Sequence, residues 1–252
     1  MEPATRIRIV LVCTQHPGNI GAAARALKTM GLSRLVLVAP EQFPADEAFR
    51  RAAGADDVLA GAAVAATLAE AVSDCRFVLG CTARSRRVAL EELAPHEAAS
   101  RVVAMAGADE VALVFGRERT GLSNEELQLC HASVHIPANP EYSSLNLAAA
   151  VQVLAYELRV AMLARPAGSQ VTPALRQEPP ASHAQLEGFF TQLGETLDDI
   201  DFHKGRAPDS AMRKLRRLFL RAPMTEQEVR LMRGILADAQ RMARLAGAKA
   251  PE

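Results

Sequence analysis

The chain has 252 residues, 49% hydrophobic and 23% charged, which suits one large domain or a medium and a small one. Its 29 basic and 29 acidic residues balance, so any nucleic acid would have to be bound by local basic patches. The four cysteines form no CxxC pair, which predicts reduced thiols in a cytoplasmic protein. The composition and spacing also predict no metal site, no signal sequence and no segment that spans a membrane.

The first 160 residues alternate short apolar runs with helical patterns, which is typical of an α/β domain with a largely parallel sheet. Ser123-Asn124-Glu125-Glu126 has the form of a capping box that opens a short helix. Strands are predicted at 7–13, 35–38, 77–81, 111–115 and 133–136. Helices are predicted at about 20–30 and within 45–72, where they flank a short segment at 57–59. A further helix is predicted from the polar residues after Pro140 to about Ala164.

The composition changes at 165–182, where Pro, Gly, Ser and Gln dominate and no apolar period is present, as is typical of a linker. The chain is therefore predicted to consist of a domain at 1–164, a linker at 165–182 and a small helical tail at 183–252. Three tail helices are predicted at about 184–197, 211–220 and 225–245, the last opened by a capping box. Because the tail is small, we expect it to pack on the first domain or on a partner.

Three loops follow predicted strand ends, where ligands bind in open α/β sheets. The loop at 17–25 is rich in small residues, which let a ligand or a neighbouring backbone approach, and carries Arg25, whose guanidinium suits phosphate. In the loop at 115–122 we expect Gly116 to let a ligand approach, and Glu118 to accept hydrogen bonds or to order the arginines beside it. The loop at 136–146 has two prolines that hold a rigid turn before a polar helix start.

Each loop alone also has an ordinary structural explanation: a solvated arginine, a charged turn, or a Ser-capped helix after a proline turn. The G-x-x-G spacing of the first loop does not match the glycine fingerprint of a dinucleotide-binding fold, which argues against a nicotinamide oxidoreductase. The sequence has no Walker lysine motif, nucleophile elbow or metal-ligand spacing. The chemistry is therefore predicted to depend on a bound cofactor or on the substrate.

Five segments together resemble the TrmJ branch of the SPOUT RNA 2'-O-methyltransferases. They are PGNIGAAARALKTMGL (17–32), LVFGRERTGLSNEEL (113–127), IPANPEYSSLNLAAAVQVLAYEL (136–158), KLRRLF (214–219) and RGILADAQR (233–241). The resemblance implies a parallel sheet with a trefoil knot, in which the last strand and helix of the first domain thread a loop. It also implies a homodimer, S-adenosylmethionine as cofactor, and ribose methylation of tRNA at position 32 of the anticodon loop, on cytidine, uridine or both.

By position in these motifs, the resemblance implies two groups of site residues, and the basic runs of the chain supply candidate tRNA contacts. The catalytic group is Arg25, Glu118, Ser144 and Asn146, and the cofactor site is Cys81, Thr82, Ala83, Gly116, Ile136, Ser143, Ser144 and Leu145. Candidate tRNA contacts, whose ordinary alternative is a solvated helix face, are Arg84, Arg86, Arg87, Arg213, Lys214, Arg216, Arg217 and Arg221. An inactive RNA-binding protein would lack Arg25, Ser144 or Asn146, and all three are present.

Arg25 holds its proton too tightly to act as a general base. We therefore expect its guanidinium to hold a phosphate and to stabilise the negative charge that develops on the ribose oxygen. The group that accepts the 2'-hydroxyl proton is left open by the sequence.

Overall fold

The computed structural model describes residues 3–83, 90–164, 178–204, 207–221 and 224–247. The chain divides into two compact units, 1–174 and 175–252, and the division falls within the stretch predicted as a linker. Residues 165–177 of that stretch lie outside the described residues.

The first unit contains a seven-stranded sheet in which all neighbouring strands of the described chain are parallel. The strands are β1 (Ile7–Val12), β2 (Arg34–Val38), β3 (Ala63–Ala65), β4 (Phe77–Cys81), β5 (Glu91–Leu93), β6 (Val111–Phe115) and β7 (Ala132–Val134). Their spatial order is β3-β2-β1-β6-β4-β7-β5. This confirms the predicted α/β class with a parallel sheet.

Helices cover both faces of this sheet, which is why the central strands β1 and β6 are buried along their whole length, Arg8 of β1 included. Ile9 and Leu11 of β1 point into one hydrophobic cluster, and Val10 and Val12 point into the other. The helices of the first unit are α1 (Pro17–Thr29), α2 (Asp46–Ala52), α3 (Asp56–Ala60), α4 (Leu68–Ala71), α5 (Pro95–Met105), α6 (Asn124–Gln128) and α7 (Leu147–Leu163). Helices α1, α5 and α7 contribute to the first cluster, and α4 and α6 to the second.

The structure differs from the predicted elements mainly at short segments. Strands β3 and β5 and helix α5 were not predicted, and residues 57–59 lie inside α3. The two strands are only three residues long and mostly exposed, so they carry no apolar period that a sequence pattern could show. Helix α1 begins at Pro17 rather than near residue 20, since proline is compatible with the first helical position.

The strand order places β6 between β1 and β4, and β7 between β4 and β5. The last two strands thus lie between strands that precede them in the chain, an order compatible with the expected knot. Threading would involve the connection from β4 to β5, of which residues 84–89 lie outside the described residues. The knot therefore stays a prediction.

In its described residues, the second unit has three helices around a phenylalanine core. Its helices are α8 (His183–Asp199), α9 (Pro208–Leu220) and α10 (Glu226–Gly247). The ring of Phe189 lies 5.2 Å from that of Phe190 and 4.9 Å from that of Phe219, centroid to centroid. None of the helices in the described ranges is long and apolar enough to cross a membrane.

The capping box predicted before the last helix is present, because the Thr225 N–H donates to Glu228 at 2.7 Å and the Glu228 N–H donates to Thr225 Oγ1 at 3.2 Å. The end of the predicted linker belongs to this unit. The Ala181 N–H donates to the Met224 carbonyl at 2.8 Å, and the Glu226 N–H donates to the Pro179 carbonyl at 3.1 Å.

Candidate active site

The carboxyl ends of four neighbouring strands bring the predicted site loops to one edge of the sheet. Leu11 is in register with Phe115, Gly80 with Val114, and Cys81 with Val134. Because the strands are parallel, the segments that follow β1, β4, β6 and β7 leave the sheet side by side. This is the edge at which open α/β sheets bind ligands.

Glu118, after β6, is the acceptor that joins its loop to the start of α1. Its carboxylate accepts hydrogen bonds from the N–H of Gln15 at 3.1 Å, from the N–H of His16 at 3.2 Å and from Asn19 Nδ2 at 2.9 Å. Partial burial raises the pKa of Glu118, but the hydrogen bonds from Asn19 and the backbone outweigh it and hold the pKa below its ordinary value. Glu118 is therefore an ionised anchor. It was expected either to accept hydrogen bonds or to order the arginines beside it, and in the structure it accepts hydrogen bonds.

Asn19 carries the connection on to the third loop. Asn146 Nδ2 donates to Asn19 Oδ1 at 3.0 Å. Asn146 Oδ1 in turn accepts from the N–H of Ala148 at 2.9 Å and of Ala149 at 3.4 Å, so Asn146 is the N-cap of α7. The ordinary explanation of this stretch, a Ser-capped helix, is thus corrected to an Asn cap, since Asn146 directly precedes the first helical residue.

Arg117 fixes the rest of the Glu118 loop. Its Nη1 donates to both carboxylate oxygens of Glu126 at 3.0 Å, and its Nη2 lies 3.1 Å from Cys13 Sγ. Glu126 also accepts the Ser123 N–H at 2.6 Å, which confirms the predicted capping box. Arg117 is therefore ordered by Glu126 rather than by Glu118, while Arg119 lies exposed at the loop tip.

The protein's own backbone uses the space that two glycines leave, which corrects the expectation for Gly116. A Cβ on Gly116 would lie 2.1 Å from the carbonyl carbon of Gly121, so the turn of its own loop, not a ligand, occupies that side. A Cβ on Gly21 would lie 2.0 Å from the Ala48 carbonyl oxygen. The predicted loop at 17–25 lies in α1, and of the two expected neighbours it is the backbone of α2, not a ligand, that approaches Gly21.

The residues implied for a cofactor lie at the ends of β4 and β7 and in the segment that follows β7. Burial raises the pKa of the half-buried Cys81 thiol to about 12, so the thiol is neutral and not a nucleophile. The Thr82 N–H donates to the Val134 carbonyl at 3.0 Å, which continues the pairing of β4 with β7. His135 Nδ1 lies 3.2 Å from the Thr82 carbonyl oxygen.

Apolar and hydroxyl groups alternate along this edge. Ile136 and Ser143 are half-buried, while Ala83, Ser144 and Leu145 are exposed. Such a mixture suits a ligand with both an apolar ring and polar groups. Among the described residues no group of three or more His, Cys, Asp and Glu side chains is placed to hold a metal ion.

Arg25 lies exposed on α1, and no hydrogen bond or ion pair of its side chain occurs within the described ranges. The structure does not place it in contact with Glu118, Ser144 or Asn146. It is a cation available to a ligand at the surface of the helix whose first turn carries Asn19.

The candidate tRNA contacts fall into three groups. Arg84, Arg86 and Arg87 lie outside the described residues. Four of the tail cations, Arg213, Lys214, Arg217 and Arg221, are exposed on α9 or directly after it. Arg216 differs, because it forms an ion pair with Glu187 of α8 and its guanidinium lies 4.4 Å from the centroid of the Phe190 ring. Its contacts therefore link α9 to α8.

Sequence reasoning missed Asn19 and the role of Arg117. Both stand inside segments quoted for the resemblance, but nothing local distinguishes an amide that bridges two loops from one in solvent. The nearest signal is a polar amide in the first turn of a helix that follows a strand end.

Comparison with known proteins identifies the class of protein to which this fold and site belong. Residues 6–156 match the model of the SpoU rRNA methylase family, and residues 184–248 match that of the tRNA methyltransferase TrmJ C-terminal domain. SpoU methylases use S-adenosylmethionine. The chain belongs to the TrmJ family of tRNA 2'-O-methyltransferases within that class.

Two curated relatives cover almost the whole chain. The chain is 50% identical over 246 residues to the tRNA (cytidine/uridine/adenosine-2'-O-)-methyltransferase TrmJ of Pseudomonas aeruginosa, covering 95% of each chain. It is 51% identical over 235 residues to the tRNA (cytidine/uridine-2'-O-)-methyltransferase TrmJ of Escherichia coli K12, covering 93% of this chain and 95% of the relative.

Solved structures agree. The crystal structure of TrmJ from Z. mobilis is 36% identical, with a TM-score of 0.79, over 92% of this chain and 97% of that one. A more distant structure, from work on the 2-OH methylation of C/U34 on tRNA, is 26% identical, with a TM-score of 0.52, over 64% of this chain and 99% of that one.

Proposed function

We propose that this protein transfers the methyl group of S-adenosylmethionine to the ribose 2'-hydroxyl at position 32 of the tRNA anticodon loop, on cytidine, uridine or both. The observation that carries the proposal is the convergence of the loops after β6 and β7 with the start of α1, joined through Glu118, Asn19 and Asn146. The same helix carries Arg25, whose side chain has no hydrogen bond or ion pair among the described residues. Membership of the TrmJ family supports the same reaction class.

The cofactor would be held along the ends of β4 and β7, by Cys81, Thr82, Ala83, Ile136, Ser143, Ser144 and Leu145. Their alternation of apolar and hydroxyl groups fits a ligand that carries an adenine ring, a ribose and an amino-acid tail. S-adenosylmethionine, when bound, supplies a methyl group on a sulfonium centre. Gly116 would contact the cofactor through its main-chain atoms, because the backbone of Gly121 fills the space where a Cβ would lie.

Positioning supplies much of the catalysis in such a transfer, because the ribose oxygen must approach in line with the bond that breaks. Arg25 would hold the adjacent phosphate and stabilise the charge that develops on the oxygen. Glu118 is a poor candidate for the base, since its carboxylate already accepts three donors. We therefore assign it a positioning role, and Ser144 stays a candidate for contact with the reacting groups.

The rest of the substrate would be bound by the tail. The exposed cations of α9 form a dense positive run in a chain of zero net charge, which suits the phosphates of tRNA. Free thiols at all four cysteines accord with a reducing compartment such as the cytoplasm, where tRNA is found.

A homodimer is supported by an apolar stripe on α7. Tyr156, Val160 and Leu163 follow one another at helical spacing and are 54%, 42% and 66% exposed. An exposed row of this kind is typical of a helix that packs against another chain. Light scattering of the purified protein tests for the expected mass of two chains.

The activity is tested with purified protein, S-adenosylmethionine with a labelled methyl group, and tRNA transcripts, followed by nuclease digestion and mass spectrometry. We expect one methyl group on the ribose at position 32, and none when that nucleotide is 2'-deoxy. Transcripts with cytidine, uridine or adenosine at position 32 measure which bases are accepted. A methyl group at position 34 instead would overturn the assigned position, and no methylation of any tRNA would overturn the proposed reaction.

A further inference from the structure

We propose that Asn19 is a positioning residue for methyl transfer: its amide couples the Glu118 loop to the cap of α7 and so sets the cofactor loop relative to the helix that carries Arg25. The proposal rests on the proposed function for its kinetic consequence. Its geometric basis is the pair of hydrogen bonds at 2.9 and 3.0 Å on the two ends of one amide.

The orientation of this amide follows from its partners. An ionised carboxylate only accepts, so Asn19 must present its NH₂ group to Glu118. Asn146 Oδ1 already accepts from the first N–H groups of α7, so Asn146 must donate, and Asn19 must present its carbonyl oxygen to it. Each end of Asn19 thus has one suitable partner, and a side chain that lacks either a donor or an acceptor breaks the connection.

The connection matters because, among the described residues, the loop at 136–146 that we assign to the cofactor has few other polar bonds. Within residues 137–146, the hydrogen bonds between described residues stay inside the loop or cap α7, apart from the bond of Asn146 to Asn19. Ala138 bonds to Ile136, and Tyr142 and Glu141 both bond to Asn139. Ser143, Ser144 and Leu145 therefore stand directly beside the one polar bond between this loop and α1.

The other end of the connection is rigid. Glu118 is held by two backbone N–H groups as well as by Asn19, and its loop is closed by the ion pair of Arg117 with Glu126. The first turn of α1 is thereby attached to a fixed point in the loop that follows β6. Asn19 transmits that position to the cap of α7.

The experiment measures kcat and KM for tRNA, the Kd for S-adenosylmethionine by calorimetry, and the unfolding temperature. The variants are Asn19→Ala, Asn146→Ala and the double variant. We expect each single change to lower kcat by about tenfold or more, the size of losing a hydrogen bond linked to a charged group. KM for tRNA should change little, because the cationic run of α9 belongs to the other compact unit and is unchanged in these variants. The double variant should resemble Asn146→Ala, which also removes the cap of α7, since adding Asn19→Ala then breaks a connection that is already lost.

The matched control is Asp57→Asn. It weakens the 2.7 Å ion pair of Lys28 with Asp57, another tie between α1 and the body of the unit, and leaves the three loops intact. We expect its kcat to stay near that of the unmodified chain. If Asn19→Ala behaves like this control, or if the effects of the two asparagine changes simply multiply, the proposed coupling is wrong.

Asn19→Asp provides a second route, including the case in which Asn19→Ala does not fold. It keeps the acceptor for Asn146 but places a carboxylate against Glu118, so one shared proton would be needed to restore the bond. Charged or titratable groups around this pair are His16 on the same turn, Glu41, which bonds Gln15, and Arg117, which precedes Glu118 and bonds Glu126. Glu47 of α2 also approaches this turn, since a Cβ on Gly18 would lie 2.9 Å from its carboxylate. The kcat of Asn19→Asp relative to the unmodified chain should therefore rise as the pH is lowered, and a constant ratio would contradict the coupling.

The two proposals fail differently. If the unmodified protein methylates no tRNA, the proposed function fails, and the coupling is then judged from cofactor affinity and unfolding temperature alone. Additive effects of the two single changes on both quantities would overturn it, and non-additive effects would support it. If the unmodified protein is active and Asn19→Ala retains full kcat, only the inference about Asn19 fails.

Discussion

Three acidic or amide side chains, Glu118, Asn19 and Asn146, organise the candidate active site at the scale of single residues. The carboxylate of Glu118 is stabilised by donors rather than by a cation, because the adjacent Arg117 bonds to Glu126. A carboxylate in such surroundings keeps its charge at neutral pH and holds the chain in place. This separates it from Arg25, whose side chain is exposed and available to the substrate.

Glu118→Gln tests the anchor through the pH dependence of stability. The pKa of Glu118 in the folded protein lies below its ordinary value of 4.5, so the stability that its charge contributes is present above that value and is lost as the pH falls through the folded pKa. Glu118→Gln removes this contribution. We expect a lower unfolding temperature at pH 7, and a difference from the unmodified chain that shrinks as the pH is lowered below 4.5. A difference that does not change with pH would contradict the assignment.

Arg25→Ala tests the role of the exposed guanidinium on α1. We expect nearly unchanged affinity for S-adenosylmethionine and an unchanged unfolding temperature, because Arg25 makes no side-chain hydrogen bond or ion pair within the described residues. Methyl transfer should fall by about 100-fold or more, as is typical when a group that stabilises developing charge is removed. Arg25→Lys should recover only part of the rate, since an ammonium does not match phosphate as a guanidinium does. Near-normal turnover of Arg25→Ala would show that its assigned role is wrong.

At the scale of secondary-structure elements, small residues determine how closely the helices pack. Helices α1 and α2 approach so closely at Gly21 that no side chain fits between them. Because Asn19 lies in the first turn of α1, the packing of α1 against α2 also sets the position of the Asn19 side-chain amide. In the tail, Arg216 performs a comparable packing function between α9 and α8.

Gly21→Ala and Gly18→Ala form a matched pair at the two ends of this contact. The new Cβ at Gly21 would lie 2.0 Å from a backbone oxygen of α2, whereas that at Gly18 would lie 2.9 Å from the end of the flexible Glu47 side chain. We expect Gly21→Ala to lower the free energy of unfolding by about 1–3 kcal/mol through overpacking. Gly18→Ala should have a small effect of either sign. Chemical denaturation of both variants measures the difference, and equal stabilities would contradict the close approach.

The cations of α9 should separate into two kinds. Arg216→Ala is expected to destabilise the helical tail, because it removes the ion pair with Glu187 and the packing on Phe190. Replacing Arg213, Lys214 and Arg217 together with Gln should leave the unfolding temperature unchanged and weaken tRNA binding. For every phosphate that is no longer neutralised, the salt slope of binding should decrease by about 0.7–0.9. An unchanged salt slope would identify these three as a solvated face.

At the scale of the whole molecule, the catalytic candidates and the dense cationic run lie in different compact units. All three loops belong to the first unit, and α9 belongs to the second. Recognition of tRNA and transfer of the methyl group are therefore expected to be separable.

A chain truncated after residue 165 tests this separation. Its sheet and α7 would be complete, so we expect it to fold, dimerise and bind S-adenosylmethionine like the full chain. It should bind tRNA weakly, with a shallower salt slope, and methylate it poorly. Full affinity and an unchanged slope for residues 1–165 would mean that the tail is a structural cap.

The sequence by itself determined the features that depend on neighbours in the chain. β4 and β6 were predicted with their final bounds and β1 and β2 to within one residue, and the capping boxes at Ser123 and Thr225 are present as predicted. Each rests on a local pattern, an apolar run or an acceptor three residues from its donor. The five resembling segments predicted the family for the same reason, since each is a contiguous motif.

The tertiary structure decided what depends on residues distant in the chain. Asn19 meets Glu118 across 99 positions and Asn146 across 127, so neither bond has a local signature. The neighbours that fill the space beside Gly21 and Gly116, the cap at Asn146 and the structural contacts of Arg216 were likewise decided by what packs against them. The sequence gives the chemistry of each side chain, but the tertiary structure determines which distant residue it contacts.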